Sequence, residues 1–341
     1  MSLKICIVTD AWHPQVNGVV RTLMMTVGEL KKLGHEVTVI GPDQFKTYPL
    51  PTYKEIRVAL FAGPELLVKL EALDADCIHI ATEGPLGLAA RNYCVQRRLR
   101  FTTSYHTRFP EYIAERFPLP AGAIYPMVRW FHQPASAIMV ATPSIERELQ
   151  PHGFQRMVRW TRGVDTELFH PRDKSFLNLP RPIMLYVGRV AVEKNIQTFL
   201  DLDLPGTKLI VGGGPQFKKI SRDYPNAVFV GPKHGEELAR YYAAADVFVF
   251  PSLTDTFGLV ILEALASGVP VAAFPVAGPI DVIGSAPVGC LDSDLKKAIE
   301  TALRMPVDAC REYALNYSWE AATVQFLSHL KPVKQLQQQV A

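Results

Sequence analysis

The chain has little with which to build disulfides or a metal centre. Its 341 residues include five cysteines, Cys6, Cys77, Cys94, Cys290 and Cys310. That odd number, widely spaced and without a CxxC pair, argues for free thiols buried in a reducing cytoplasm and against a disulfide framework or a bound metal. Apolar runs long enough to cross a bilayer are also missing. The nearest, PSLTDTFGLVILEALASGVPVAAFP at 251–275, is interrupted by Glu263, Pro270 and Pro275, which does not suit a membrane span. The opening MSLKICIVTDAWHP reaches Asp10 after too few apolar residues for a secretory leader and reads as a first β-strand. Solenoid repeats and low-complexity tracts are absent, and the 27 prolines are scattered as turn residues would be. Excess charge is small. The formal net charge of +3 gives no reason to expect a nucleic-acid partner.

What is present is an ordinary globular composition, 48% hydrophobic and 20% charged, over a length that accommodates two domains with separate cores. Both halves alternate short apolar strands with helical segments. KICIVT, EVTVI, CIHIA, RFTTS and AIMVAT read as strands of the first half, and PIMLYVG, KLIVGG, AVFVG, DVFVFPS and VPVAAF as strands of the second. A helix is expected over 18–33, ending at Gly34. Strands apolar on both faces and alternating with helices imply parallel sheets covered by helices, an α/β doubly wound architecture. The stretch from Thr161 to Pro182, rich in proline and charge, reads as the linker between the two. Ligands of such sheets bind beyond the C-terminal strand ends, so the loops there are the places to look for function.

Five of those loops carry distinctive residues. After the first strand, Asn17-Gly18 opens a helix whose N-terminus favours an anion, with Gly18 permitting close backbone approach; the pair is also a common turn. His106 follows the RFTTS strand beside Tyr105 and Arg108, a position that suits either a structural or a catalytic histidine. Arg189 and Lys194 follow the first strand of the second half. Two cations near a helix start oppose the helix dipole but suit a diphosphate. A charge pair with Glu193 is the competing account. VGGGP at 211–215 lacks the third glycine of a dinucleotide fingerprint, because Phe217 stands there, and reads as close backbone packing. In the 251–275 stretch a helix is expected from near Phe257, leaving the amides of Thr256, Phe257 and Gly258 to receive phosphate oxygens. Asp255 and Glu263, about two turns or ~12 Å apart along a helix, are too distant for one acid/base pair. They can contact two ends of one elongated, hydroxyl-bearing ligand.

Taken together, PQVNGV, YHTRF, RGVDTELFHP, VGRVAVEKN, VGGGP, DTFGLVILEALASGVPV and YSWE resemble, in order and spacing, a family 4 glycosyltransferase of GT-B fold. The similarity extends to bacterial enzymes that glycosylate lipids such as diacylglycerol. The resemblance implies two Rossmann-like domains facing a central cleft. Residues 1–163, completed by C-terminal helices at about 319–341, would bind the acceptor, and residues 164–318 the nucleotide-sugar donor. It implies that Arg189 and Lys194 neutralise the donor diphosphate, that Gly18 approaches it from the opposite domain, and that Glu263 accepts ribose hydroxyls. Asp255 would contact the transferred sugar, with the amides of Thr256, Phe257 and Gly258 on phosphate, and His106 would lie near the anomeric carbon. His106, Arg189, Lys194 and Asp255 are therefore the catalytic candidates. The family motif is Glu-x7-Glu; Asp255 is one methylene shorter, which bears on its sugar contact. Transfer with retention at the anomeric carbon, no required metal or other cofactor, and a front-face mechanism are further implications.

The acceptor is approached through residues 91–132, which hold seven arginines, no lysine, two glutamates and nine aromatics. Residues 1–163 carry 19 basic against 14 acidic residues, and 164–341 carry 17 against 19. Basic and aromatic side chains mixed in this way suit an anionic membrane surface, or else aromatic core with solvated arginines. Arg97, Arg98, Arg100, Arg108, Tyr112, Arg129 and Trp130 are the candidate acceptor or membrane contacts. The expected activity is hexosyl transfer, glucose or glucuronate from a UDP-sugar, to a lipid such as diacylglycerol at the cytoplasmic face of the plasma membrane. A GDP-mannose-dependent mannosyltransferase on a lipid or glycan, a GT-B nucleotide-sugar epimerase and a non-catalytic nucleotide-sugar binder are the alternatives.

Overall fold

A polar strand in the middle of a sheet needs buried partners for its hydroxyls, and the first half of the chain supplies them with imidazoles. This is seen in a computed structural model, which describes residues 2–15, 17–49, 57–114, 120–253 and 257–333. The first unit runs to Thr161 and resumes at Trp319, and Arg162–Ser318 forms the second. In the first unit β1 (Lys4–Val8) pairs in parallel with β2 (Glu36–Ile40). A short antiparallel pair, β3 (Tyr48–Pro49) and β4 (Arg57–Val58), interrupts the crossover. The chain then returns to the other side of β1 with β5 (Cys77–Ile80), β6 (Thr102–Tyr105), β7 (Ala137–Val140) and β8 (Met157–Arg159), giving the order β2-β1-β5-β6-β7-β8. Thr102, Thr103 and Ser104 of β6 are fully buried. His79 shares hydrogen bonds with Thr102 Oγ1 and Ser104 Oγ, both at 2.9 Å, and His132 Nδ1 with Thr103 Oγ1 at 2.8 Å. Three hydroxyls that would each cost about 1–3 kcal/mol unpaired are thereby satisfied.

The helix expected over 18–33 spans Gly18–Lys32, with Asn17 Oδ1 accepting from the Val19 and Val20 amides at 3.0 Å and Gly34 left-handed at φ +86° just beyond it. Its buried stripe of Val20, Leu23, Val27 and Leu30 covers one face of the sheet. The same core receives the late helix Trp319–His329, whose Phe326 ring lies 4.7 Å from Trp160 and 4.9 Å from His79.

The second unit contains β9 (Ile183–Val187), β10 (Thr207–Val211), β11 (Val228–Gly231), β12 (Val247–Phe250), β13 (Val271–Ala273) and β14 (Gly289–Leu291). All pairings are parallel, in the order β11-β10-β9-β12-β13-β14. The stretch expected to be a linker is instead part of this unit. Phe169 is fully buried with its ring edge-on to Tyr242, and Arg311 donates to the carbonyls of Phe169 (2.8 Å), Ala266 (3.1 Å) and Thr166 (3.0 Å). Among the described residues no helix is long and apolar enough to cross a membrane, and the described part of 251–275 contains the helix Leu259–Ala266 and β13. The cysteines are all free. Burial pushes the thiols of Cys6, Cys94 and Cys310 up to about 12 and that of Cys77 to about 11, which makes them poor nucleophiles.

Candidate functional site

In the second unit the chain reverses its direction of winding between β9 and β12, and the loops after these strands bracket the switch point where such sheets bind ligands. Arg189 and Lys194 both stand on the loop after β9, half-buried. Its backbone is clamped around Arg189. Tyr186 Oη donates to the Arg189 carbonyl at 2.7 Å, Val190 N–H to the Gly213 carbonyl at 2.8 Å, and Gly188 N–H to Val211 at 3.0 Å. The glycines of VGGGP make that clamp possible. Gly212 (φ +141°) and Gly214 (φ +149°) lie where a Cβ would run into the backbone of Gly188 and Val190. Lys194 closes a short 3-10 turn, Val192–Lys194, and Asn195 follows in the left-handed region. Asn195 Nδ2 then donates to the Pro251 carbonyl at 3.1 Å, and Ser252 Oγ to the Glu193 carbonyl at 3.4 Å. These bonds tie the Arg189–Lys194 loop to the loop after β12.

That second loop leads to the helix Leu259–Ala266, which starts two residues later than the sequence suggested. Gly258 is its N-cap, left-handed at φ +81°, and a Cβ there would meet Ile261 Cδ1 at 3.0 Å. Phe257 is buried before it. The first-turn amides are accordingly those of Leu259 and Val260, displaced from the expected Thr256–Gly258. Asp255 and Thr256 lie outside the described residues. Glu263, the fifth residue of this helix, is 3% exposed among Ile261, Leu262, Ala264 and Leu265, all fully buried. Its buried carboxylate stands about 6 Å of helix rise from Leu259.

In the first unit the corresponding switch point lies between β1 and β5, and the residue that occupies it went unnoticed in the sequence. Asp10 Oδ1 accepts from Leu86 N–H at 2.8 Å, and Oδ2 from Gly87 N–H at 3.1 Å and Thr82 Oγ1 at 3.0 Å. It thus caps the helix Pro85–Gln96, whose own N-cap Gly84 offers no side chain. A Cβ on Gly84 would lie 2.6 Å from Asp10 Oδ2. Burial raises the Asp10 carboxyl above the usual range, against the opposing pull of these three hydrogen bonds. Gly18 is exposed at the first position of its helix. His106 directly follows β6, 8% exposed, with its ring edge-on to Trp160 at 5.5 Å.

The arginine-rich stretch separates into two populations. Arg91 is buried and donates to the carbonyls of Phe131 and Trp130, both at 2.9 Å, so it joins the helices Pro85–Gln96 and Ala121–His132. Arg97 pairs with Glu71 and lies 4.4 Å over the Tyr93 ring. Arg108 grips Glu148 with two nitrogens, each at 3.0 Å. Arg98 and Arg129 are exposed, and Arg100 and Tyr112 are half-buried. Of the aromatics, Tyr93, Phe101, Tyr105, Tyr125 and Phe131 are core, whereas Phe109 is 42% and Trp130 48% exposed.

Comparison with known proteins gives this geometry a family. Residues 16–168 match Glycosyltransferase Family 4 and residues 181–305 match Glycosyl transferases group 1. The GDP-mannose-dependent alpha-mannosyltransferase of Mycolicibacterium smegmatis is 31% identical over 97% of this chain and 98% of its own length. The alpha-monoglucosyldiacylglycerol synthase of Streptococcus pneumoniae is 27% identical over 80% and 71%. Among solved structures, sucrose-phosphate synthase from Thermosynechococcus elongatus superposes with a TM-score of 0.77 at 23% identity, covering 96% of this chain and 98% of that one. The two parallel-sheet, Rossmann-like units are those of the GT-B fold, and the chain belongs to glycosyltransferase family 4.

Proposed function

We propose that the protein transfers a hexose, with retention of anomeric configuration, from a nucleoside diphosphate sugar to a hydroxyl of a membrane glycerolipid. The observation that carries the lipid acceptor is an exposed apolar and basic face on two joined helices. Trp130 and Met127 are 48% and 55% exposed on one, beside exposed Arg129, and Leu88 and Val95 are 37% and 43% exposed on the other. Arg91, whose guanidinium lies 3.8 Å from the Trp130 ring centre, holds that indole at the surface. Large apolar side chains interleaved with arginines suit the interface of an anionic bilayer, which makes the protein a peripheral enzyme of the inner leaflet.

In the second unit Arg189 and Lys194 supply the positive charge for a diphosphate, and the Leu259 and Val260 amides add donors at a helix N-terminus. These groups stabilise the charge that develops on the leaving group, so the reaction proceeds without a divalent metal. Glu263 accepts the ribose hydroxyls. The departing diphosphate takes part in removing the acceptor proton.

The donor of this reading is UDP-glucose or UDP-glucuronate, in keeping with the relative named for monoglucosyldiacylglycerol synthesis. GDP-mannose is the second reading, favoured by the 31% identical mannosyltransferase that aligns over nearly the full chain. Incubating the protein with each donor and diacylglycerol in anionic vesicles, with product anomericity read by NMR, tests both. An α-glycolipid is expected. Transfer from GDP-mannose alone selects the second reading, and no glycolipid from any donor contradicts the lipid acceptor.

A further inference from the structure

The loops after β9 and β12 leave a sheet that has already opened between them. β9 stays paired with β10 as far as Val187, and β12 with β13 as far as Phe250. Between β9 and β12 the pairing ends earlier, at Leu185 and Phe248. Asn195 crosses this opening with its side chain. The carboxamide is engaged at both ends: Nδ2 donates to the Pro251 carbonyl at 3.1 Å, and Oδ1 accepts from Thr198 Oγ1 at 2.7 Å. Only the amide nitrogen can donate to a carbonyl, so the two partners fix the orientation of the group. Ser252 Oγ, donating to the Glu193 carbonyl at 3.4 Å, is a second and longer tie. The backbone of Asn195 is left-handed, at φ +50° and ψ +32°, which is uncommon for any residue but glycine. It ends the turn Val192–Lys194 and precedes the helix Ile196–Leu200, so it sets the direction in which the chain leaves Lys194. Glycine would serve that backbone alone; asparagine adds the bond across the opening. A left-handed residue of this kind beside a candidate site is a reason to look for a functional role.

We propose that Asn195 is a positioning residue: it locks the Arg189–Lys194 loop to the loop after β12 before the donor arrives, so that both grip one diphosphate. Arg189 and Lys194 stand on the first loop, and the Leu259 and Val260 amides follow the second. A diphosphate is long enough to use both sides, whereas a single phosphate can be held from one. Joining the two sides in advance lowers the ordering cost of diphosphate binding. Asn195 thereby raises the preference for a nucleoside diphosphate over the matching monophosphate, acting through Lys194 and Pro251. The role rests on the donor site proposed above and assigns the assembly of that site to one side chain.

The test titrates UDP, UMP, GDP and GMP into the full-length wild type, Asn195→Gly and Thr198→Val, alongside thermal unfolding of each. Asn195→Gly suits the left-handed backbone and deletes both side-chain bonds. Thr198→Val keeps the bridge to Pro251 and removes only the bond to Asn195 Oδ1. For the nucleotide that the wild type binds, Asn195→Gly should lower the ratio of diphosphate to monophosphate affinity about five-fold. Thr198→Val should leave that ratio within about two-fold of wild type. An unaltered ratio in folded Asn195→Gly, or an equal loss of both nucleotides, overturns the positioning role and leaves the donor site standing. A Thr198→Val effect as large as that of Asn195→Gly also overturns it, because it would mean support of the helix only. Binding of neither diphosphate by the wild type would instead contradict the donor site and the positioning role with it.

Discussion

Replacing Gly214 with alanine probes the loop that carries Arg189. At φ +149° the residue is in a region that L side chains rarely adopt, and its Cβ would lie 2.6 Å from the Val190 carbonyl oxygen and 3.0 Å from Arg189 Cγ. The closest ordinary carbon–oxygen contacts are ~3.3 Å, so the β9 loop must retreat by about 0.7 Å or the turn must change conformation. Backbone strain of roughly 1–3 kcal/mol adds to overpacking of roughly 1–3 kcal/mol. Gly213→Ala is the internal control, because its Cβ would meet Pro232 Cγ at 3.3 Å and its φ lies outside the left-handed region. A displacement approaching 1 Å in a charge-stabilising group costs on the order of 10–100-fold. Calorimetric titration with UDP and GDP, alongside urea unfolding, should therefore show Gly214→Ala weakened in both affinity and stability. Gly213→Ala should stay near wild type. Equal damage from the two substitutions, or none from Gly214→Ala, would refute the clamp.

Trp130→Ala removes about half of an indole from the proposed membrane face, and its partition onto anionic vesicles should fall about ten-fold; unchanged sedimentation would exclude that face. EDTA should leave turnover largely intact, and complete loss would contradict charge stabilisation by Arg189 and Lys194. Asp10→Asn tests the cap at the β1/β5 switch point through its pH dependence. Because burial raises the folded carboxyl, the protonated form favours folding. The contribution is full below the unfolded value and is lost as the pH rises through the higher folded value. Wild-type stability relative to Asp10→Asn should therefore decline with rising pH, read from paired unfolding curves, and a constant difference would count against it.

The regular parts of the fold were legible because buried strands such as CIHI and VFVF are apolar on both faces. Strands β8 and β14 escaped notice. Each spans three residues and is not fully buried, so neither leaves a hydrophobic run. The loop after β9 stood out by charge placed where helix dipoles disfavour it, at Arg189 and Lys194. Other features depend on partners far away in sequence. Thr161–Pro182 resembled a linker because proline and charge mask Phe169, whose burial rests on Tyr242 and whose carbonyl rests on Arg311. The pairing of Arg108 with Glu148 could not be read from the pattern because the two are forty residues apart. Asp10 caps a helix seventy-six residues on, through Leu86. The late start of Leu259–Ala266 follows from the left-handed Gly258, a conformation that the apolar pattern does not encode.

The most direct measurement is calorimetric titration of UDP and GDP into the wild type, Arg189→Ala and Glu263→Ala. One nucleotide should bind the wild type, with affinity reduced at least ten-fold by either substitution and with folding retained by circular dichroism. Wild-type affinity in both variants would contradict a donor site built on the loops after β9 and β12.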